Sequence, residues 1–222
     1  MPAIICIFLF IIAATLNLIA SAKDCKKLFT ATKPALLLLL CLYCLFSGLP
    51  KPDLLLIGAF FACWLGDVLL MINGDIWFTA GGVSFFIGHV LLILIFARYI
   101  DFSRIPLAVV IPAAAAYLGL SALVMTRSRK KAPKALFVPL CLYLICNSAM
   151  NVFALSRLIA DPGVWPALSY AGAVLFFLSD CILFLYRYDE DHERFYKNGF
   201  FVMLTYISGV FLIAIGLVPF AF

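Results

Sequence analysis

The chain has 222 residues, 66% of them hydrophobic and only 12% charged, with a formal net charge of +5 and a mean hydropathy of +1.16. Soluble domains carry about 25% charged residues, so this composition excludes a water-soluble globular protein and describes an integral membrane protein. The length accommodates about eight spans of roughly 20 residues with short connections, which predicts one transmembrane helical domain over residues 1–222.

Apolar runs set against turn and proline signals predict helices over 2–20, 33–48, 53–72, 77–97, 105–125, 135–156, 166–187 and 198–220. The first has no basic region before its apolar run and no convincing small-x-small cleavage site before the polar Ser21-Ala22-Lys23, so it reads as a retained helix. The second is expected to open at Lys33-Pro34, with proline in the first turn and Lys33 at the membrane rim. Leu49-Pro50-Lys51-Pro52 ends it. The third carries Gly58, Ala62 and Gly66 at spacing four, which permits close helix approach, and then Asp67. After the turn Asn73-Gly74-Asp75, the fourth places Gly81, Phe85 and His89 on one face. The fifth ends in the basic cluster Arg127 to Lys131, which suits anionic headgroups. The sixth carries Tyr143, Asn147 and Asn151 on one stripe, expected to face the bundle interior, and stops at Asp161-Pro162-Gly163. The seventh holds Gly172, Phe176, Ser179 and Asp180, and the eighth holds Tyr206.

Lys and Arg are unevenly distributed among the connections. The odd loops hold four near 23–33, none near 73–77, five near 127–134 and three near 187–197; the even loops hold Lys51, Arg98, Arg104 and Arg157. This bias predicts cytosolic odd loops and both termini outside; the membrane expected for the chain is a bacterial cytoplasmic membrane. Ala35-Leu36 followed by Leu40-Cys41-Leu42-Tyr43 recurs as Ala135-Leu136 followed by Leu140-Cys141-Leu142-Tyr143, and Leu65-Gly66-Asp67 is echoed by Leu178-Ser179-Asp180. Either a four-plus-four duplication with parallel halves or chance similarity between leucine-rich helices accounts for this.

Asp67 and Asp180 are the costliest residues in the chain. An aspartate at the centre of a membrane helix costs roughly 2.5 to 3.5 kcal/mol, so both are candidate working groups, the alternative being a polar clamp between helices. The remaining polar residues have structural readings too: rim snorkelling for Lys33, interhelical hydrogen bonding for His89, Asn147, Asn151 and the tyrosines, packing for Tyr43 and Tyr143, and a bond to a preceding carbonyl for Ser179. The run Asp189-Glu190-Asp191-His192-Glu193-Arg194 reads as a solvated loop, because consecutive residues cannot all converge on one ion. Seven of the eight cysteines lie in apolar segments, there is no CxxC or Cys/His spacing outside a span, and the positive charge follows membrane orientation, so neither a disulfide framework nor a metal site nor a nucleic-acid surface is indicated.

Taken together, Thr32-Lys33-Pro34, Gly66-Asp67-Val68-Leu69-Leu70, Phe85-Phe86-Ile87-Gly88-His89, Gly172-Ala173 with Phe177-Leu178-Ser179-Asp180, and Thr205-Tyr206 resemble the YhhN-type lysoplasmalogenase family over essentially the whole chain. That resemblance implies a membrane hydrolase that cleaves the vinyl ether bond of lysoplasmalogens, using membrane lipids with an alkenyl chain and no metal or organic cofactor. One departure stands out: a glutamine is expected a few residues after the helix-eight tyrosine, where this chain has Ser208 and Gly209.

Vinyl ether hydrolysis needs one carboxylic acid to protonate an alkenyl carbon and one carboxylate to stabilise the cation and activate water. Asp67 and Asp180 are expected to divide these roles, with the assignment open. His89 and Tyr206 would orient a carboxylate or water, Asn147 would hydrogen-bond a substrate oxygen, Ser179 would support the site, and Lys33 would pair with the lipid phosphate at the cytosolic rim. Two other classes compete: a proton- or cation-coupled transporter using the same aspartates, and a noncatalytic scaffold in which they only fix packing. The lack of matching proline breaks, with Pro139 facing Leu39 in the repeat, argues against the transporter.

Overall fold

A computed structural model describes residues 1–48, 50–189 and 199–218; Glu190 to Arg194 of the acidic loop lie outside these. The described residues form α1 (Pro2–Ala22), α2 (Lys26–Ser47), α3 (Leu54–Leu70), α4 (Asp75–Ala97), α5 (Leu107–Ser128), α6 (Lys134–Ala160), α7 (Val164–Tyr188) and α8 (Phe200–Leu217), with a single 3-10 turn at Phe102–Arg104. Seven of these helices are long and apolar enough to cross a membrane; α3, at 17 residues, is apolar but shorter. Their outer faces expose large apolar side chains, such as Phe8, Phe61, Ile111 and Ile145, which suits a lipid surround.

The largest difference from expectation lies in α2, which begins at Lys26 and not at Lys33. Tertiary contact with α1 stabilises the added turns: the Asn17 amide donates to the Phe29 carbonyl at 3.3 Å and to Thr32 Oγ1 at 2.9 Å. Pro34 is therefore inside the helix, as are Pro112 in α5 and Pro139 in α6, and all three helices continue through them. In the hundred-residue repeat Pro34 aligns with Lys134 and Pro139 with Leu39, so the two prolines do not match in position, and neither breaks its helix. Beside Pro34, the Trp64 indole of α3 donates to its carbonyl at 2.9 Å.

Ion pairs tie the helix ends together. At one end Arg187 meets Asp75 at 3.7 Å, and the Lys131 ammonium donates to the Asp189 carbonyl at 3.0 Å, gathering the α3–α4 and α5–α6 connections beside the end of α7. At the other end Arg98 pairs with Asp53 at 2.9 Å. Asp53 also caps α3 by accepting from the Leu55 and Leu56 amides. Asp53→Ala is expected to cost about 1 kcal/mol through the lost cap, measurable as a lower thermal midpoint in detergent; the partly exposed ion pair adds little.

Close helix approach positions the two aspartate-bearing helices. On α3 the buried contact stripe is Ala59, Cys63 and Gly66, one residue round from the expected Gly58-Ala62-Gly66, because α4 lies against that side. A β-carbon on Gly66 would strike the Phe85 ring at 2.6 Å, and one on Gly88 would strike Cys63 Sγ at 2.5 Å. On α7 and α8 the backbones themselves meet: a β-carbon on Gly172 would lie 2.6 Å from the Gly209 carbonyl, and one on Gly216 2.5 Å from the Ser169 nitrogen. The helices pair α3 with α4 and α7 with α8; α6 links the pairs by packing on both α4 and α7, and α2 by packing on both α3 and α8. α1 and α5 sit outside, the former against α2 and α8, the latter against α6 and α7.

The repeated tyrosines occupy different settings. Tyr43 donates to the Val218 carbonyl at 2.5 Å, near the end of α2, whereas Tyr143 lies in the first half of α6 and reaches Asp180.

Candidate active site

Six helices, α2, α3, α4, α6, α7 and α8, enclose a largely apolar cavity of about 610 Å³. Asp67 and Asp180 both line it, each almost completely buried at 2% and 5% exposure. Val83 and Phe86 of α4 and Leu142 and Ile145 of α6 line the cavity while also being exposed on the outside of the bundle. The cavity therefore opens sideways between α4 and α6.

Asp67 is held by a cation. The Lys33 ammonium stands 3.2 Å from its Oδ1, and the Tyr206 hydroxyl donates to its Oδ2 at 2.6 Å. Lys33 is itself largely buried, because the extra turns of α2 set it well inside the helix, where the shortest route for its charge is to Asp67. This differs from the rim position expected for it. A buried charge is tolerated when an opposite charge and hydrogen bonds meet it, and this pair meets both conditions.

Asp180 is held by neutral groups. The Tyr143 hydroxyl donates to its Oδ2 at 2.7 Å and the Asn147 amide at 2.6 Å. Asn151 donates to the Asn147 side-chain oxygen at 3.2 Å and to its backbone carbonyl at 3.0 Å, so the Asn147 amide nitrogen is turned toward Asp180. The polar stripe at spacing four on α6 is thus a directed chain ending on the carboxyl group. Tyr143, which reads from sequence as a packing aromatic, belongs to the site.

His89 is fully buried, its ring against Tyr143 and Phe176 at centroid distances of 5.3 and 4.9 Å. Its Nε2 is 3.9 Å from Asp180 Oδ2, too far for a direct hydrogen bond, and neither ring nitrogen has a partner among the described residues. Phe85, Phe176 and Tyr206 stack edge to face beside it and form an aromatic wall shared by the two aspartates. Ser179 lines the cavity and donates across to the Val202 carbonyl of α8 at 3.0 Å, so it fastens α7 to α8 and not to its own preceding turn.

The missing glutamine has a structural counterpart. Gly209 faces α7 so closely that a β-carbon there would stand 2.8 Å from the Phe176 nitrogen. Gly209→Gln is expected to push α8 from α7 and lower stability by about 2–3 kcal/mol, with a much smaller loss for Ser208→Gln at its half-buried neighbour. Thermal unfolding of both variants in detergent measures the difference.

Among the described residues two cations line the cavity, Lys33 and Arg187. Arg187 is a residue that the sequence reading passes over as loop charge, although it lies seven positions, two helical turns, beyond Asp180 on the same face.

The family model described as the YhhN family matches residues 28–217, from the start of α2 to the end of α8, and so spans every residue named in this site. No curated protein and no solved structure matches the chain.

Proposed function

Because the chain belongs to the YhhN family, we propose that it is a membrane hydrolase that cleaves the vinyl ether bond of lysoplasmalogens. The observation that carries this reading is the unequal pairing of two buried aspartates on one cavity, Asp67 with a cation and Asp180 with neutral donors. Unlike settings for two like carboxyls are what an acid and a carboxylate require. The cavity volume and apolar lining suit an amphiphile, and the gap between α4 and α6 lets a lipid enter from the side.

In this reading Asp180 is the acid. Its hydrogen bonds gather on Oδ2, which leaves Oδ1 to present a proton to the cavity. That proton adds to the double-bond carbon β to the ether oxygen; the double-bond electrons form the new C–H bond and leave an oxocarbenium ion. Asp67, whose charge Lys33 balances, stabilises the cation and takes a proton from the attacking water. The hemiacetal then collapses: its C–O bond to glycerol breaks, the glycerol oxygen takes the hemiacetal proton, and a fatty aldehyde leaves. The proton held by Asp67 returns to Asp180. Tyr206 and His89 support the carboxylate and water, and Asn147 keeps Asp180 oriented.

The family resemblance and the basic end of the bundle support the remaining assignments. All eight helices span the membrane, α3 as a short crossing, within a single domain. The end carrying Arg187, Lys131 and Asp75 faces the cytosol, with both termini outside. The cross-over of partners, α2 and α8 serving Asp67 while α6 and α4 serve Asp180, favours a four-plus-four duplication.

Purified protein incubated with a lysoplasmenyl lipid should release aldehyde, detected by a coupled dehydrogenase. If it releases none, while proteoliposomes carry a proton or ion flux that depends on Asp67 and Asp180, the transport reading replaces this one.

A further inference from the structure

The second cation on the cavity wall has no part in the chemistry above. Arg187 sits in the last turn of α7 with its side chain 40% exposed, and its guanidinium lies over the Phe78 ring at 4.0 Å. Its Nε donates to the Tyr188 hydroxyl at 3.2 Å, which fixes the plane of the group. Among the described residues its ion pair is with Asp75, at 3.7 Å, and Asp75 is 66% exposed. So long and open a pair contributes little to stability. Lys33, by contrast, is committed to Asp67 deep in the bundle.

We propose that Arg187, pre-ordered on Phe78, is the residue that binds the phosphate of the substrate lipid, and that Asp75 is the group the phosphate displaces. A planar guanidinium offers paired N–H donors that match two phosphate oxygens, and stacking on an aromatic ring holds it in place without using those donors. The inference rests on the hydrolase reading for the identity of the lipid.

Arg187 is also at the right distance. Seven residues along a helix advance about 10.5 Å, and Phe184, between Asp180 and Arg187, lines the same cavity. In a lysoplasmalogen the carbon that accepts the proton is separated from phosphorus by an extended chain of roughly 9 Å at ordinary single-bond lengths. A lipid with its phosphate on Arg187 therefore places its vinyl ether beside Asp180. Its hydrocarbon tail then runs along α4 and α6 toward Ile93 and Ala149 at the far end of the cavity. This replaces Lys33 as the expected phosphate partner and makes Arg187 a determinant of specificity for phosphorylated over neutral ether lipids.

The test uses full-length protein in nanodiscs and saturated alkyl-ether ligands, which lack the vinyl bond and so report binding whether or not the protein is a hydrolase. A 1-alkylglycerol phosphodiester and the phosphate-free 1-alkylglycerol are titrated against wild type, Arg187→Gln, Arg187→Lys and Asp75→Asn. Arg187→Gln is expected to weaken the phosphodiester about tenfold and leave the 1-alkylglycerol unchanged, which also serves as its folding control. Arg187→Lys keeps the charge without the fork and should fall between; Asp75→Asn should tighten the phosphodiester. Equal weakening of both ligands by Arg187→Gln, or a loss in Asp75→Asn matching that in Arg187→Gln, overturns the assignment. Inorganic phosphate binding as tightly as the phosphodiester overturns the lipid as its source. Arg187-dependent binding in a protein that releases no aldehyde from the vinyl ether keeps the phosphate site and discards the hydrolase reading.

Discussion

Asp180→Asn is expected to yield a folded protein in which aldehyde release falls by at least about a hundredfold. The two effects separate because of how Asp180 is held. Its partners, the Tyr143 hydroxyl and the Asn147 amide, both donate to one oxygen, and the amide oxygen of asparagine can accept the same two bonds. Packing against α6 is thereby kept, while the group that delivers a proton to carbon is gone. Aldehyde measured alongside the thermal midpoint distinguishes the outcomes. A stable Asp180→Asn protein with wild-type turnover would sink the acid assignment, and a protein that unfolds instead would favour the scaffold reading.

Lys33→Met is expected to be the most damaging single change to stability, at about 3–5 kcal/mol, because it leaves the Asp67 carboxylate buried without its counter-charge. Methionine fills much the same volume, so the loss reports charge and not a cavity. Asp67→Asn alone strands the Lys33 ammonium and should also destabilise, though the asparagine oxygen still accepts from Tyr206. The double variant, Lys33→Met with Asp67→Asn, removes both charges. It should recover most of the stability, while aldehyde release stays absent because no carboxylate remains to meet the cation. Additive losses in the double variant would mean that the two charges do not depend on each other, contrary to their 3.2 Å separation.

The two aspartates were legible because each breaks an apolar run at a cost that lipid makes severe. His89 and the Asn147-Asn151 stripe were legible because spacing of four places such groups on one helical face. Lys33 was identified as a candidate but placed at the wrong depth. Proline next to it looks like a helix start, whereas contact with α1 through Asn17 keeps the chain helical for two further turns. Tyr143 and Arg187 each had a signal in the periodicity, one on the asparagine stripe and one two turns beyond Asp180. Both also had ordinary uses, packing and orientation, that composition cannot separate from function.

The sequence by itself determined that this protein is helical and lives in a membrane, where most helices begin and end, and which polar groups must face inward. These follow from the chain's own chemistry: backbone groups must be satisfied in lipid, proline and glycine interrupt helices, and charge is expensive away from water. Only the tertiary structure decided which carboxylate receives the lysine, which receives neutral donors, and where the cavity opens. Those outcomes depend on the rotation and separation of neighbouring helices. They are set by contacts between residues far apart in sequence, such as Gly66 against Phe85 and Gly172 against Gly209, where the absence of a side chain lets one helix close on another.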